Sequence, residues 1–487
     1  MQNKNLITNK DWTPEKIASV SKAIAVTVVA GIAIGIFSAA ANSYYIAAII
    51  MGIFLTLLIG WQFESALLFY VLIAFIPWGR TPDLAVGGSG YGKGLYVSQI
   101  MLGFMFAIWC ARYLLQSLPK NRISSAFYIP CGIYLFYTIL NIIHTHLFWD
   151  PVINKDHQHI HVNIIEFGLR LLSVCAMVMI ATTISNAKWL KISTYLFLVP
   201  ALFNIFNALT GYRIPVQAPW WPLMTYMPIC FMTFLILEKN VKPIFRILGI
   251  IVTSTSILLI FFKAISWVSG WFGLLVSLGF VVFLKSKKLF AVALVIIAIL
   301  ATINWSYIDS HIIHASNEEG DYDRFALLRG GIKYATKFPL GVGVGNYRTY
   351  NSFHYGDLWG TTGYSSAHGT YSQALAEMGF PGLILLLLIL ISGFRWMYHY
   401  YKKAPDGLTK NYLAAALAHT VGISATAFIG DYIFPTYHNG GLVMFSCTVY
   451  SWIYWGLAIA HVRINLSEEY EETINSNSKL EYQRALR

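Results

Sequence analysis

Arg324 and Arg329 in DYDRFALLRGG, Arg348 in GNYRTY, and His368 and Glu377 in SSAHGTYSQALAEMGFPG crowd into one polar segment of a mostly apolar chain. A guanidinium meets two phosphate oxygens at once and stays charged. An imidazole takes up a proton near neutral pH. Several arginines with one histidine therefore suit the transfer of a group from a phosphate-type leaving group to a hydroxyl. The segment from Tyr307 to Gly379 is the longest polar interruption between apolar runs, and long loops in compact proteins usually carry function.

Local pattern predicts how these residues are held. Phe325, Leu328, Ile332 and Ala335 recur at helical spacing, so the arginine segment reads as an amphipathic helix along a membrane surface. A helix over Thr370–Met378 places His368 at its positive N-terminal end, which favours the neutral imidazole that acts as a base. Glu377, just before Gly379 and Pro381, reads either as a structural anchor or as a site carboxylate. GVGVGN (341–346) reads as a tight turn after Pro339, because it lacks the strand–helix context and the Lys-Ser/Thr of a nucleotide loop.

Other charged groups carry two readings each. Glu166 and Arg170 stand four apart within an apolar run, a spacing that allows an ion pair; alternatively Arg170 faces a donor groove. Arg213 in TGYRIP and Lys263 in FFKAIS stand alone at the ends of apolar runs, either as functional cations or as side chains reaching lipid phosphate. The run His157, His159, His161, with His144 and His146, has the alternation of a zinc site but no partner at a recognisable spacing except Asp156; we expect a solvated loop and no metal. Glu318, Glu319, Asp321 and Asp323 read as a solvated acidic run. The five cysteines lie in or beside apolar runs with no paired spacing and read as small core residues.

These residues need a scaffold, and composition says which. Of 487 residues 57% are hydrophobic and 11% charged, against about 25% charged in soluble domains. The chain reads as an all-α polytopic membrane protein. Apolar runs near 23–41, 44–60, 65–79, 95–115, 126–147, 164–184, 189–209, 219–237, 244–262, 266–284, 289–307, 379–398, 411–430 and 440–461 suggest about 12–14 transmembrane helices, at roughly 20 residues per span. No cleavable signal peptide is expected, because the first run is long enough to span.

The net charge of +12 reflects basic cytoplasmic loops and does not call for nucleic acid. With the N-terminus inside, most Lys and Arg fall on the cytoplasmic side, and the His-rich segment, Arg213, Lys263 and the long loop fall outside. The expected organisation is an N-terminal helix bundle over 1–307, a large periplasmic loop over 308–378, C-terminal helices over 379–465 and a cytoplasmic tail over 466–487. Nucleotide sugars and ATP are cytoplasmic, so a reaction outside needs a donor already activated and flipped, such as a polyprenyl diphosphate. It needs cations for its diphosphate, an apolar groove for its tail and a base for the incoming hydroxyl.

Over roughly residues 260–400 the chain resembles the bacterial O-antigen ligase and O-antigen polymerase superfamily. The resemblance rests on Arg324 opening a helix, on P-x-G-x-G-x-G (Pro339, Gly341, Gly343, Gly345), and on His368, Glu377, Gly379 and Gly382. The last four match the family's His-Asn-x-x-x-x-x-x-x-E-x-G-x-x-G. Two positions depart: Gly369 replaces the family's Asn, and 266–270 lack the usual Ser-Arg, with Lys263 as the nearest cation. The resemblance implies a GT-C-like, metal-independent, inverting glycosyltransferase of the bacterial inner membrane, with no cofactor. Its donor would be an undecaprenyl-diphosphate-linked glycan, and its acceptor a glycan, a glycolipid such as lipid A-core, or a protein. It makes His368 the base, with Glu377 beside it in the motif, and Arg324 a diphosphate ligand. Arg213, Lys263, Arg170 and Arg348 are further candidates for the diphosphate. A polymerase joining lipid-linked repeats is the nearest alternative, and a lipid-linked oligosaccharide flippase is the alternative from another class.

Overall fold

The computed structural model describes residues 63–74, 96–115, 125–153, 159–210, 221–238, 241–263, 268–303, 305–308, 321–358, 367–438 and 441–466. The expected spans 23–41 and 44–60, Arg213, His157, the pair Glu318 and Glu319, and the tail beyond Leu466 lie outside the described residues.

Among the described residues the elements are helices, with no strand. The first are α1 (Phe63–Ile73), α2 (Val97–Leu115), α3 (Ser125–Leu147), α4 (His159–Thr183), α5 (Ala187–Leu196) and α6 (Leu198–Thr210). Then come α7 (Trp221–Ile236), α8 (Pro243–Lys263), α9 (Val268–Lys285), α10 (Lys287–Ile303) and the short α11 (Trp305–Ile308). The polar segment supplies α12 (Asp321–Lys337) and α13 (Tyr347–Leu358). The chain then forms α14 (Thr370–Lys403), α15 (Leu408–Thr426) and α16 (Gly441–Asn465).

Ala126–Leu147, Ile160–Thr183, Ala187–Phe206, Thr370–Lys403 and Leu442–Asn465 are long and apolar enough to cross a membrane, with shorter apolar helices such as Leu223–Ile236 and Ser269–Lys285 beside them. The chain is a multi-pass membrane protein. Two helices that are apolar all round are stabilised in opposite ways. α16 lies in the centre, with 94% of its apolar window buried. α10 exposes Val292, Val295, Ile296 and Ile299 on several sides, which suits contact with lipid.

The core is built by α4 against α16, α15 against α7 and α9, and α14 against α3, α12 and α15. Small residues let the backbones approach. A Cβ on Gly422 of α15 would lie 2.0 Å from Ser277 Oγ and 2.5 Å from the Gly273 carbonyl of α9.

Two of the expected runs differ in detail. The run 189–209 is two helices meeting at Phe197; Pro200, which has no N–H, sits in the first turn of α6, where proline is tolerated. The run 411–430 stops at Thr426; Phe428 after it is exposed, and residues 430–437 form a buried loop. The line drawn between residues 378 and 379 falls within α14, at a kink where Gly379 has φ 67° and Pro381 follows.

Candidate functional site

The kink breaks the hydrogen-bond ladder of α14, and the glycine loop repairs it. Pro381 has no N–H to offer the Glu377 carbonyl, and the Phe380 N–H turns away to the Pro339 carbonyl at 3.1 Å. The freed carbonyls find donors elsewhere. Val342 N–H reaches Ala376 at 3.0 Å, Gly343 N–H reaches Glu377 at 2.8 Å and Tyr137 Oη reaches Met378 at 2.9 Å. Irregular backbone inside a membrane protein is tolerated only when buried and satisfied in this way.

The loop itself is gripped by amides from α3 and α4. Asn141 donates to the Leu340 carbonyl at 2.7 Å and accepts from Val344 N–H at 3.0 Å; Asn163 donates to the Val344 carbonyl and to Asn346 Oδ1. Gly341 has φ 85°, and a Cβ there would lie 2.2 Å from the Glu377 carbonyl oxygen. The backbone donors of GVGVGN at Val342, Gly343 and Val344 are thus spent within the protein.

A buried charge cluster lies beside this suture. Arg170 Nη1 is 3.0 Å from Glu166 Oε2, and Arg170 Nη2 is 3.5 Å from Glu377 Oε2. Both carboxylates are fully buried. Tyr437 N–H donates to Glu166 Oε1 at 2.6 Å, which ties the loop after α15 to the same cluster. The structure thus brings Arg170 and Glu377 together in the interior. Glu377 lies about two helical turns, roughly 10 Å, beyond the start of α14, so it is not beside His368.

His368 is the non-glycine residue with positive φ among the described residues, at 43°. Such strain persists where the surroundings over-determine it, and it clusters at functional sites. Its neighbours are fixed on both sides. Ala367 belongs to a small aromatic core with Tyr334, Val342, Tyr347 and Tyr350, and its N–H donates to Gln373 Oε1 at 2.7 Å. Gly369 is buried, and a Cβ there would lie 2.7 Å from the Phe428 carbonyl. Thr370 donates through N–H and Oγ1 to the Gly430 carbonyl, at 3.1 and 3.0 Å. The imidazole is half-buried. Burial pushes the nearby Tyr334 and Tyr350 phenols above their ordinary value, which leaves both protonated at neutral pH.

The arginine helix runs parallel to the start of α14. Gly331 sits against Ser372, where a Cβ would lie 2.9 Å from the Ser372 carbonyl, and eight residues on in both strands of chain Pro339 meets Phe380. Arg324 occupies the helical face of Gly331, seven residues earlier, about 10 Å back along the axis. By the rise per residue, that backbone position lies past the N-terminal end of α14, the end that follows His368. Arg348 is half-buried in the first turn of α13, and Arg329 is exposed. Lys263 is the last residue of α8. No group of three His, Cys, Asp or Glu able to hold a metal ion occurs among the described residues, and the His144 ring lies tilted against Phe148, centroids 5.0 Å apart.

Residues 251–387 match the family model described as O-antigen ligase. Over that segment the chain is similar to the O-antigen ligase family. No curated protein matches the chain. The O-antigen ligase match takes in Lys263, Arg324, Arg348, His368 and Glu377 and ends within α14; Arg170 and Arg213 lie outside it.

The loop after α15 also lies outside the match and had no signal in the sequence. Its first residues read there as the end of the apolar run 411–430, and the rest as a short link before the run at 440. In the fold Asp431 is buried, and Gly430 and Tyr432 contact Thr370. The amides Asn141 and Asn163 were equally silent, because their partners lie far away in the chain.

Proposed function

We propose that the protein is an O-antigen ligase-like glycosyltransferase. It moves a glycan from an undecaprenyl-diphosphate carrier to an acceptor hydroxyl, on the periplasmic face of the bacterial inner membrane. His368 takes the proton of the acceptor hydroxyl. The acceptor oxygen attacks the anomeric carbon, the bond from that carbon to the diphosphate breaks, and undecaprenyl diphosphate leaves with its electron pair. Attack opposite the leaving group inverts the carbon. Arg324 neutralises the diphosphate, joined by Arg213, Lys263 and Arg348. Arg170 and Glu377 act as positioning residues, because both are buried and Arg170 bridges Glu166 and Glu377 in the interior.

One observation carries this reading: a strained histidine, φ 43°, is pinned at the end of α14 past which the arginine helix extends. Enzymes gain much of their rate from such pre-set geometry. Basic loops on the opposite side support the periplasmic orientation, and the absence of nucleotide sugars there supports a lipid-linked donor.

The test is reconstitution in proteoliposomes with a defined polyprenyl-diphosphate-linked glycan and a choice of acceptors. Glycan on lipid A-core or on protein supports a ligase. A lengthened lipid-linked chain makes the protein a polymerase. Movement of the donor across the bilayer with no transfer makes it a flippase and ends the enzymatic reading.

A further inference from the structure

The start of α9 is tied to the start of α14 by one tyrosine. Tyr432 Oη and Ser269 Oγ are hydrogen-bonded, and Ser269 is fully buried in the first turn of α9. At its other end the Tyr432 N–H donates to Thr370 Oγ1 at 3.1 Å. Thr370 opens α14, two residues after His368. The Tyr432 ring is clamped as well. A Cβ on Gly430 would lie 2.2 Å from the ring, and Gly430 in turn accepts both Thr370 donors.

The α9 end is also fixed. Tyr226 Oη donates to the carbonyls of Ser269 and Gly270, at 2.9 and 2.6 Å. These carbonyls and the Ser269 hydroxyl therefore have set positions. Lys263 closes α8 on the other side of the short link into α9. The path Ser269–Tyr432–Thr370 thus runs from the start of α9 to the backbone that holds His368.

We infer that Tyr432 is a positioning residue for glycan transfer, holding the His368 base in register with the α8–α9 end of the donor site through its hydroxyl contact to Ser269. The inference rests on the role proposed above for His368. It is separate from packing, because the ring already fills the space over Gly430 and phenylalanine would keep that contact. What the hydroxyl adds is a directional link between two helix ends. A misplacement of about 1 Å in a reacting group can cost up to roughly 100-fold in rate.

The experiment compares Tyr432→Phe, Ser269→Ala and the double variant in the full chain in proteoliposomes, with rates normalised to folded protein. The expected result is a fall in kcat of about tenfold in each single variant, with donor KM within about twofold of the parent. The double variant falls no further than the singles, because both remove one link. A second readout needs no transfer: the carbethoxylation rate of His368, followed by peptide mass spectrometry, changes in both singles alike.

Parental kcat together with a parental carbethoxylation rate in Tyr432→Phe overturns the inference, and so do single effects that multiply in the double variant. If Tyr432→Phe does not fold, Ser269→Ala carries the same two expectations alone. An inactive His368→Ala beside an unchanged Tyr432→Phe sinks this inference only. A parent that transfers from no lipid-linked donor sinks the proposed function, and the carbethoxylation rates still decide whether the link exists.

Discussion

Arg170 Nη2 lies 3.5 Å from Glu377 Oε2 while its Nη1 lies 3.0 Å from Glu166 Oε2, so one guanidinium joins α4 to the interrupted helix α14. Breaking a buried pair leaves an uncompensated charge and costs about 3–5 kcal/mol. Arg170→Ala strands two carboxylates and should be the most destabilising change in the cluster. Glu377→Gln leaves the Glu166–Arg170 pair intact and should cost less. Thermal unfolding in detergent ranks the variants, and a parental midpoint for Arg170→Ala would remove the cluster from the stability argument.

The suture makes a sharper demand on one glycine. At Gly341 a Cβ would lie 2.2 Å from the Glu377 carbonyl, and φ is 85°, so neither space nor backbone admits a side chain. Gly341→Ala should displace the Val342 and Gly343 donors from α14 and abolish folded yield. Gly103 in α2 is the control, since a Cβ there meets nothing within 4 Å. Gly103→Ala should be neutral or stabilising by about 0.5–1 kcal/mol. Size-exclusion profiles after membrane extraction separate the two, and a monodisperse Gly341→Ala peak would refute the suture.

What could be read from the sequence follows from the range of each interaction. Helices were legible because an apolar run of spanning length has few other fates. The Glu166–Arg170 pair was legible because its spacing is local. Gly379 and Pro381 were visible as helix breakers and read as a boundary between two helices, where the fold has one kinked helix; the turn at GVGVGN was visible as repeated glycine. The repair was not visible: Asn141, Asn163 and Tyr137 meet the loop and α14 across some two hundred residues of chain. Glu377 carried two readings because its partner Arg170 lies on another helix. The Gly430–Tyr432 stretch stood at the end of the run 411–430, where nothing local marked it as a buried loop that meets Thr370.

Position 368 separates stability from function. An L-residue in the left-handed region costs roughly 1–2 kcal/mol that glycine avoids. At φ 43°, alanine keeps that strain and glycine relieves it. His368→Gly should therefore be more stable than His368→Ala by about 1 kcal/mol, while both lose glycan transfer. Denaturation midpoints and a lipid-linked donor assay on the same preparations check this. Equal stability would mean that the backbone relaxes without the imidazole, and retained transfer in either variant would remove His368 from the chemistry.

Arg324 offers the complementary test on the donor. Its backbone position lies two helical turns before the Gly331–Ser372 contact, past the N-terminal end of α14. Its loss should spare folding and act on the diphosphate. A charge-assisted hydrogen bond is worth about 1.5–3 kcal/mol, so Arg324→Ala should lower kcat/KM for the lipid-linked donor by about 10- to 100-fold. Arg324→Lys keeps the charge without the planar fork, and should recover only part of the loss. The buried Arg170 should behave in the opposite way, with Arg170→Lys judged by stability before any effect on donor saturation. Initial rates over a donor series in proteoliposomes distinguish these cases. Full activity in Arg324→Ala would move the diphosphate elsewhere, and full recovery by lysine would show that charge alone, without bidentate geometry, holds the donor.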